Sequence, residues 1–306
     1  MTSIAQHSYP QVVWRDRIKK LWNPIHKKAL KNRPEERVRL RIIEYLVRAG
    51  WSKHRISTEE AIGELGDTSM RTDIICYSQQ FEPRLLVECK AEHVPISAQT
   101  AEQVARYNQK VEAPFILLSN GVSDYWYAIE DGEQVQRQEA RPHFLETDGD
   151  QPELGFGYWK QRGFAGDRAR PELRKWFEES LPNFWFPDQR SNIRHIQFGE
   201  GPTDVDLSHY YHIVPISKDR RLAITTLNTA FGGNRLIIIL NKQEENKAVL
   251  EINLDLVFDE KKGNSSMYAR DGIRTFNLNK YWSLPDLSDA RELAEQADIL
   301  FRDYVE

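Results

Sequence analysis

The sequence predicts an α/β protein, with a mixed sheet flanked by helices in its first part and a C-terminal β-rich (α+β) domain after it. Three observations predict this. Residues 34–50 have helical periodicity between a proline and a glycine; short apolar runs alternate with one further helical segment up to residue 129; and past residue 155 the apolar residues gather in long β-branched runs. A chain of 306 residues can build two separate cores.

Residues 1–33 come first, with Arg15, Arg17, Lys19, Lys20, Lys27, Lys28, Lys31 and Arg33 against the single acid Asp16, and are expected to form a basic N-terminal arm. Trp14, Trp22 and His26 interleave with these bases. An amphipathic arm packing its tryptophans and a stacking platform for nucleic acid have the same letters, so both readings stand. Next, Pro34 in a first turn and Gly50 past a last one predict a helix. At about 100° per residue its apolar face is Val38, Ile42, Ile43 and Leu46, which puts Glu35 near the centre, pointing inward, and Glu36 toward the edge. An inward acid needs a partner, a metal or a proton.

Strands are expected at 56–62, 72–77 and 84–90, with a turn at 66–69 and a hairpin link at 78–83. A helix over 97–110 starts at Ser97, or at the alternative capping pair Thr100 and Gln103. Strands at 115–119 and 124–129 follow, joined by the Asn120-Gly121 turn. These elements define a domain over 34–130. Residues 131–154 are rich in Glu, Asp, Gln, Gly and Pro and are expected as a linker. The second domain, 155–306, carries a helix at 171–180, β-rich runs at 209–216, 221–227, 236–241, 248–258 and 273–278, and a closing amphipathic helix at 288–304.

A hydrophobic content of 40% with 29% charged residues excludes a disordered or a membrane-embedded chain. The sequence has neither a signal-peptide-like start nor the roughly 18 continuous apolar residues of a membrane span. Cys76 and Cys89 lie in apolar runs without zinc-ligand spacing, which fits small core residues in a reducing cytoplasmic setting. The net charge of −4 gives the average surface no attraction for a polyanion.

The chemistry concentrates in the hairpin. Alternation puts Glu88 and Lys90 on one face of their strand, and an antiparallel neighbour can bring Asp73 to that face. Two hard carboxylates suit Mg²⁺, with Mn²⁺ as a substitute, and a cation there can offset charge on a scissile phosphate. Lys90 is placed to orient a nucleophile or hold phosphate charge, and Glu35 to complete the metal shell. Gln103 and Tyr107, four apart on the next helix, can reach the same cleft as neutral donors and acceptors. The pair His209 and His212 is read as strand packing, and the remaining histidines have no ligand spacing.

Five ordered motifs then coincide: Pro-Glu-Glu-x-Val-Arg at 34–39, Arg-x-Asp at 71–73, Val-Glu-Cys-Lys at 87–90, Gln-x-x-x-Tyr at 103–107 and Leu-Ser-Asn-Gly at 118–121. Together they resemble the N-terminal nuclease domain of type I restriction enzyme R subunits, of the PD-(D/E)xK superfamily. The resemblance covers about residues 30–130 and implies a restriction-endonuclease-like fold. It also implies metal ligation by Asp73, Glu88 and the Cys89 carbonyl, a catalytic Lys90, an assisting helix glutamate at 35 or 36, and the Gln103 and Tyr107 pair. Thr72 stands where the superfamily name has proline, at a residue that is not a ligand. No Gly-x-x-x-x-Gly-Lys-Ser/Thr loop occurs, so the motor of a full R subunit has no counterpart in this sequence. The expectation is a Mg²⁺-dependent DNA endonuclease, RNA remaining open, with restriction or defence-system subunits as partners. The alternative is a nucleic-acid or protein binding module on a non-cleaving nuclease scaffold.

Overall fold

The computed structural model describes every residue except 60–70, 131–133, 146–153, 186–192, 197, 199–200, 203, 288 and 306. The turn expected at 66–69 and the end of the strand expected at 56–62 lie outside the described residues. The chain forms two units. One comprises Met1–Val13 with Lys20–Asp150, the other Trp14–Lys19 with Gln151–Glu306.

The stretch expected as a basic arm carries strands β1 (Val12–Arg15), β2 (Ile18–Asn23) and β3 (Lys28–Leu30), paired in that order. Helix α1 (Pro34–Arg48) follows, then β4 (Ile56–Thr58), β5 (Ile74–Tyr77), β6 (Pro83–Cys89), α2 (Ala98–Val111), β7 (Phe115–Ser119), β8 (Asp124–Glu130) and β9 (Gln134–Gln138). Strands β4 to β9 form one six-stranded sheet in sequence order. Only β6 and β7 are parallel, and α2 is the crossover between them; every other pairing is antiparallel.

Each face of this sheet has its own core, because strand side chains alternate. Ile74, Cys76, Leu85, Val87 and Cys89 pack with Val38, Ile42, Ile43 and Leu46 of α1. Ile75, Leu86, Ile116 and Leu118 pack with Val104 of α2 on the other side. Arg41 of α1 is buried, and its guanidinium donates to the carbonyls of Ala5, Ser8 and Gly121 and to Glu92 at 2.6 Å. This fixes the N-terminal segment against the turn after β7.

The second unit contains α3 (Phe156–Gln161), α4 (Pro171–Trp185), β10 (Ile193–Ile196), β11 (His209–Ser217), β12 (Arg220–Asn228), β13 (Asn234–Lys242), β14 (Glu245–Asn253), α5 (Leu254–Phe258), β15 (Ser265–Ala269), β16 (Gly272–Phe276) and α6 (Ala290–Val305). Strands β10 to β16 make a seven-stranded antiparallel meander. α6 lies against β11, β12 and β14 and buries Leu293, Ala297, Leu300 and Phe301. Trp14 and Lys19 belong to this unit: the indole donates to Asn228 at 3.1 Å, and the buried ammonium donates to the carbonyls of Asp206 and Ser208. Among the described residues no helix is long and apolar enough to cross a membrane.

Candidate active site

The site begins where the β5–β6 ladder ends. Ile74 pairs with Val87, so one step further along the same register sets Asp73 beside Glu88. Backbone pairing stops there, and the Asp73 carboxylate takes over: its Oδ2 accepts the Cys89 amide at 2.7 Å. On the other edge of β6 the Lys90 amide donates to the Ser119 carbonyl at 2.9 Å. Residues 88–90 are thus held from both sides.

Glu88 alternates with Val87 and Cys89, which face α1, and so lies on the same face as Leu86, toward α2. Its Oε1 accepts from Lys90 Nζ at 2.7 Å. The side chains of Asp73, Glu88 and Lys90 keep 21%, 13% and 26% of their exposure, so each is largely desolvated. Burial raises the pKa of Asp73, and the charges of Arg39 and Lys90 only partly oppose it. Burial also raises Glu88, with the neighbouring Asp73 charge adding to the effect. Lys90 moves upward despite its own burial, because Glu88 accepts its proton in a hydrogen bond and both acids favour the ammonium.

The helix acids sit differently from the sequence expectation. Glu35 is exposed, not inward. It lies in the first turn of α1, and the packed apolar stripe of that helix begins only at Val38. Its charge still reaches the cluster, raising Asp73, Glu88 and Lys90 alike. Glu36 is the half-buried one, 3.1 Å from Arg39. Arg39 is a member of the site that sequence reasoning left without a role. Its guanidinium lies 3.5 Å from Asp73 and 3.2 Å from Glu59, and although burial disfavours its charge, Asp73 and Glu36 hold its pKa up. The available signal was its spacing, three residues past Glu36 on a helix.

Gln103 and Tyr107 do come together on α2, their side chains hydrogen-bonded at the surface. The Leu-Ser-Asn-Gly motif is architectural. Ser119 donates to the buried Asp124 carboxylate at 2.5 Å, Asn120 caps the amides of Val122 and Ser123, and Gly121 has φ +75° with Arg41 against it. Cys76 and Cys89 are buried free thiols whose pKa values burial drives upward, which disfavours the thiolate.

Among the described residues no three side chains of His, Cys, Asp or Glu gather tightly enough to hold a metal by themselves. Two carboxylates nevertheless fit the habits of Mg²⁺, which commonly keeps several waters and takes only one or two protein carboxylates. Two largely buried acids, each raised toward its neutral form, also make an oxygen donor set that a divalent cation would relieve.

At the end of its hairpin this helix-flanked mixed sheet presents two acids and an ammonium. Residues 34–141 match the family model of the type I restriction enzyme R protein N terminus, in agreement with the five motifs. No curated protein matches the chain.

Proposed function

We propose that the first unit is a Mg²⁺-dependent DNA endonuclease with a restriction-endonuclease-like core, using Asp73, Glu88 and Lys90. The observation that carries this reading is the Glu88–Lys90 pair at the end of β6 with the Asp73 carboxylate seated on the intervening Cys89 amide, inside the segment that matches the restriction-enzyme family. Asp73, Glu88 and the Cys89 carbonyl would hold the ion, with Glu35 at the rim. A bound divalent cation supplies charge neutralisation at a scissile phosphate and a more acidic water.

The chain's own residues then have distinct tasks. Lys90 remains an ammonium, since its proton is held by Glu88; it donates to phosphate or nucleophile and does not abstract a proton. Arg39 holds the Asp73 carboxylate from the α1 side while the Cys89 amide holds it from the β6 side. Gln103 and Tyr107, already paired, position polar atoms along α2.

The test is incubation of the purified chain with single- and double-stranded DNA, and with RNA in parallel, with and without Mg²⁺ or Mn²⁺. Metal-dependent cleavage that disappears in Lys90→Ala is expected. Cleavage that survives this change excludes the mechanism, and nucleic-acid retention without cleavage under any metal points to a non-cleaving scaffold.

A further inference from the structure

Phe231 is an aromatic residue left in water, 62% exposed at the tip of the β12–β13 loop. Arg17, on the turn between β1 and β2, holds its guanidinium 5.2 Å from the ring centroid. The loop is stiff: the Thr229 amide donates to Gly233 O and the Gly232 amide to Thr229 O, both at 3.0 Å, and the Thr229 hydroxyl accepts the Gly233 amide. Gly166 lies flat against it, so close that a Cβ would come 2.3 Å from the Gly232 carbonyl. The Arg168 amide then donates to that same carbonyl at 2.9 Å. Two arginines, 168 and 170, therefore leave a fixed backbone next to an exposed aromatic ring.

Beside the ring is a cleft of about 450 Å³ whose lining includes Phe231, Arg168, Arg170, Lys261, three aspartates and an Arg235 already paired with Glu251 at 2.8 Å. Two of its acids are already engaged. Asp255 accepts the amide and the side-chain nitrogen of Asn234 at 2.9 and 2.6 Å. Asp259, only 11% exposed, pairs with Arg170 at 2.8 Å and Lys261 at 3.2 Å, whose own side chains are 67% and 59% exposed. Arg168 is exposed and has no ion pair among the described residues. The rim facing solvent is thus mainly cationic, with Asp204 as an exposed acid.

We infer that this cleft of the second unit grips single-stranded nucleic acid, with an unstacked base on Phe231 and phosphates on Arg168, Arg170 and Lys261. An aromatic tip can take a base only if that base has left a duplex stack, and cations spaced around the tip track a flexible backbone; paired strands offer the first of these features nothing. The site uses no residue of the carboxylate cluster and stands whether or not the chain cuts.

Binding of a fluorescent oligothymidine of roughly 16 nucleotides to the full chain in EDTA, read by anisotropy across a salt series, tests it. Phe231→Ala should weaken binding at least about fivefold, the loss of one base stack. Arg168→Ala should lower the slope of log affinity against log salt by about 0.7, one phosphate on a single strand. Phe231→Tyr should bind as the parent does, and a blunt duplex should be insensitive to Phe231→Ala. Both residues are exposed, so the fold is spared. Absence of binding by the parent protein, unchanged affinity and salt slope in both alanine variants, or equal loss on duplex and single strand would overturn the inference. Retained affinity in a chain that never cleaves removes the nuclease reading alone.

Discussion

Lys90 is held as a cation by the carboxylate it touches, and this sets what its replacement should do. Under the proposed nuclease mechanism, Lys90→Ala removes a charged donor from a water-poor site, and the turnover of DNA should fall about 10²- to 10³-fold, measured under saturating substrate and metal. Asp73 has the opposite electrostatic character. Its folded pKa lies above its unfolded value, so the native state binds the proton more tightly, and stability is lost as pH rises from the unfolded pKa through the folded one. At pH 7, without metal, Asp73→Asn should therefore melt at a higher temperature than the parent, since the amide oxygen can still accept the Cys89 amide. The gain should vanish as the buffer approaches about pH 4. Calorimetry at both pH values checks the sign, and an unchanged or lower melting temperature at pH 7 contradicts it. Alternation along 84–90 made the Glu88 and Lys90 face legible from sequence, and the apolar run at 72–77 placed Asp73 at its end. The orientation of Glu35 was not legible, because a helical projection centred on the apolar stripe does not say which first-turn side chain is covered, and here burial falls on Arg37 and partly on Glu36. Arg39 escaped notice for a related reason: its partners Asp73 and Glu59 come from strands far away in sequence.

At the scale of elements, α1 and the β5–β6 hairpin were readable because local signals agree with packing: proline at N1, an apolar stripe in register with Ile74, Val87 and Leu117, and a polar link between the strands. β1 to β3 were hidden by charge, since each strand carries lysine or arginine where alternation would show polar residues of either kind, and two of those side chains, Lys19 and Lys28, have partners in the folded protein. The run at 248–258 divides into β14 and α5 at Asn253, whose side chain caps the Leu256 amide; a continuous apolar run does not reveal such a break. Ser97 caps α2 through the Thr100 amide, so Ser97→Ala should cost about 1 kcal/mol in denaturant unfolding and loosen the helix that carries Gln103 and Tyr107. Gly166→Ala meets backbone carbonyls, which cannot swing aside as a side chain would. It should cost at least about 2 kcal/mol by the same measurement, and a smaller loss would show that the loop yields.

Across the whole molecule, each unit builds its own core, and the second is tied by a buried ion pair between Arg220 of β12 and Asp298 of α6, with Arg302 also 2.8 Å from that acid. Asp298→Ala takes the counter-charge away from a nearly inaccessible guanidinium and should cost about 3–5 kcal/mol, followed by tryptophan fluorescence in denaturant. The strand order of this unit was unreadable because an antiparallel meander and a sandwich share the same turn spacing, and only register separates them. The segment Trp14–Lys19 has a further consequence, one of timing. Lys19 finds its carbonyl partners 187 and 189 residues later in the chain, so at ordinary synthesis rates it waits roughly 10–40 s on the ribosome before they exist. During that interval its ammonium is fully hydrated, and only on enclosure does burial bring its pKa down to about 8. Lys19 is made long before the carbonyls that will hold it.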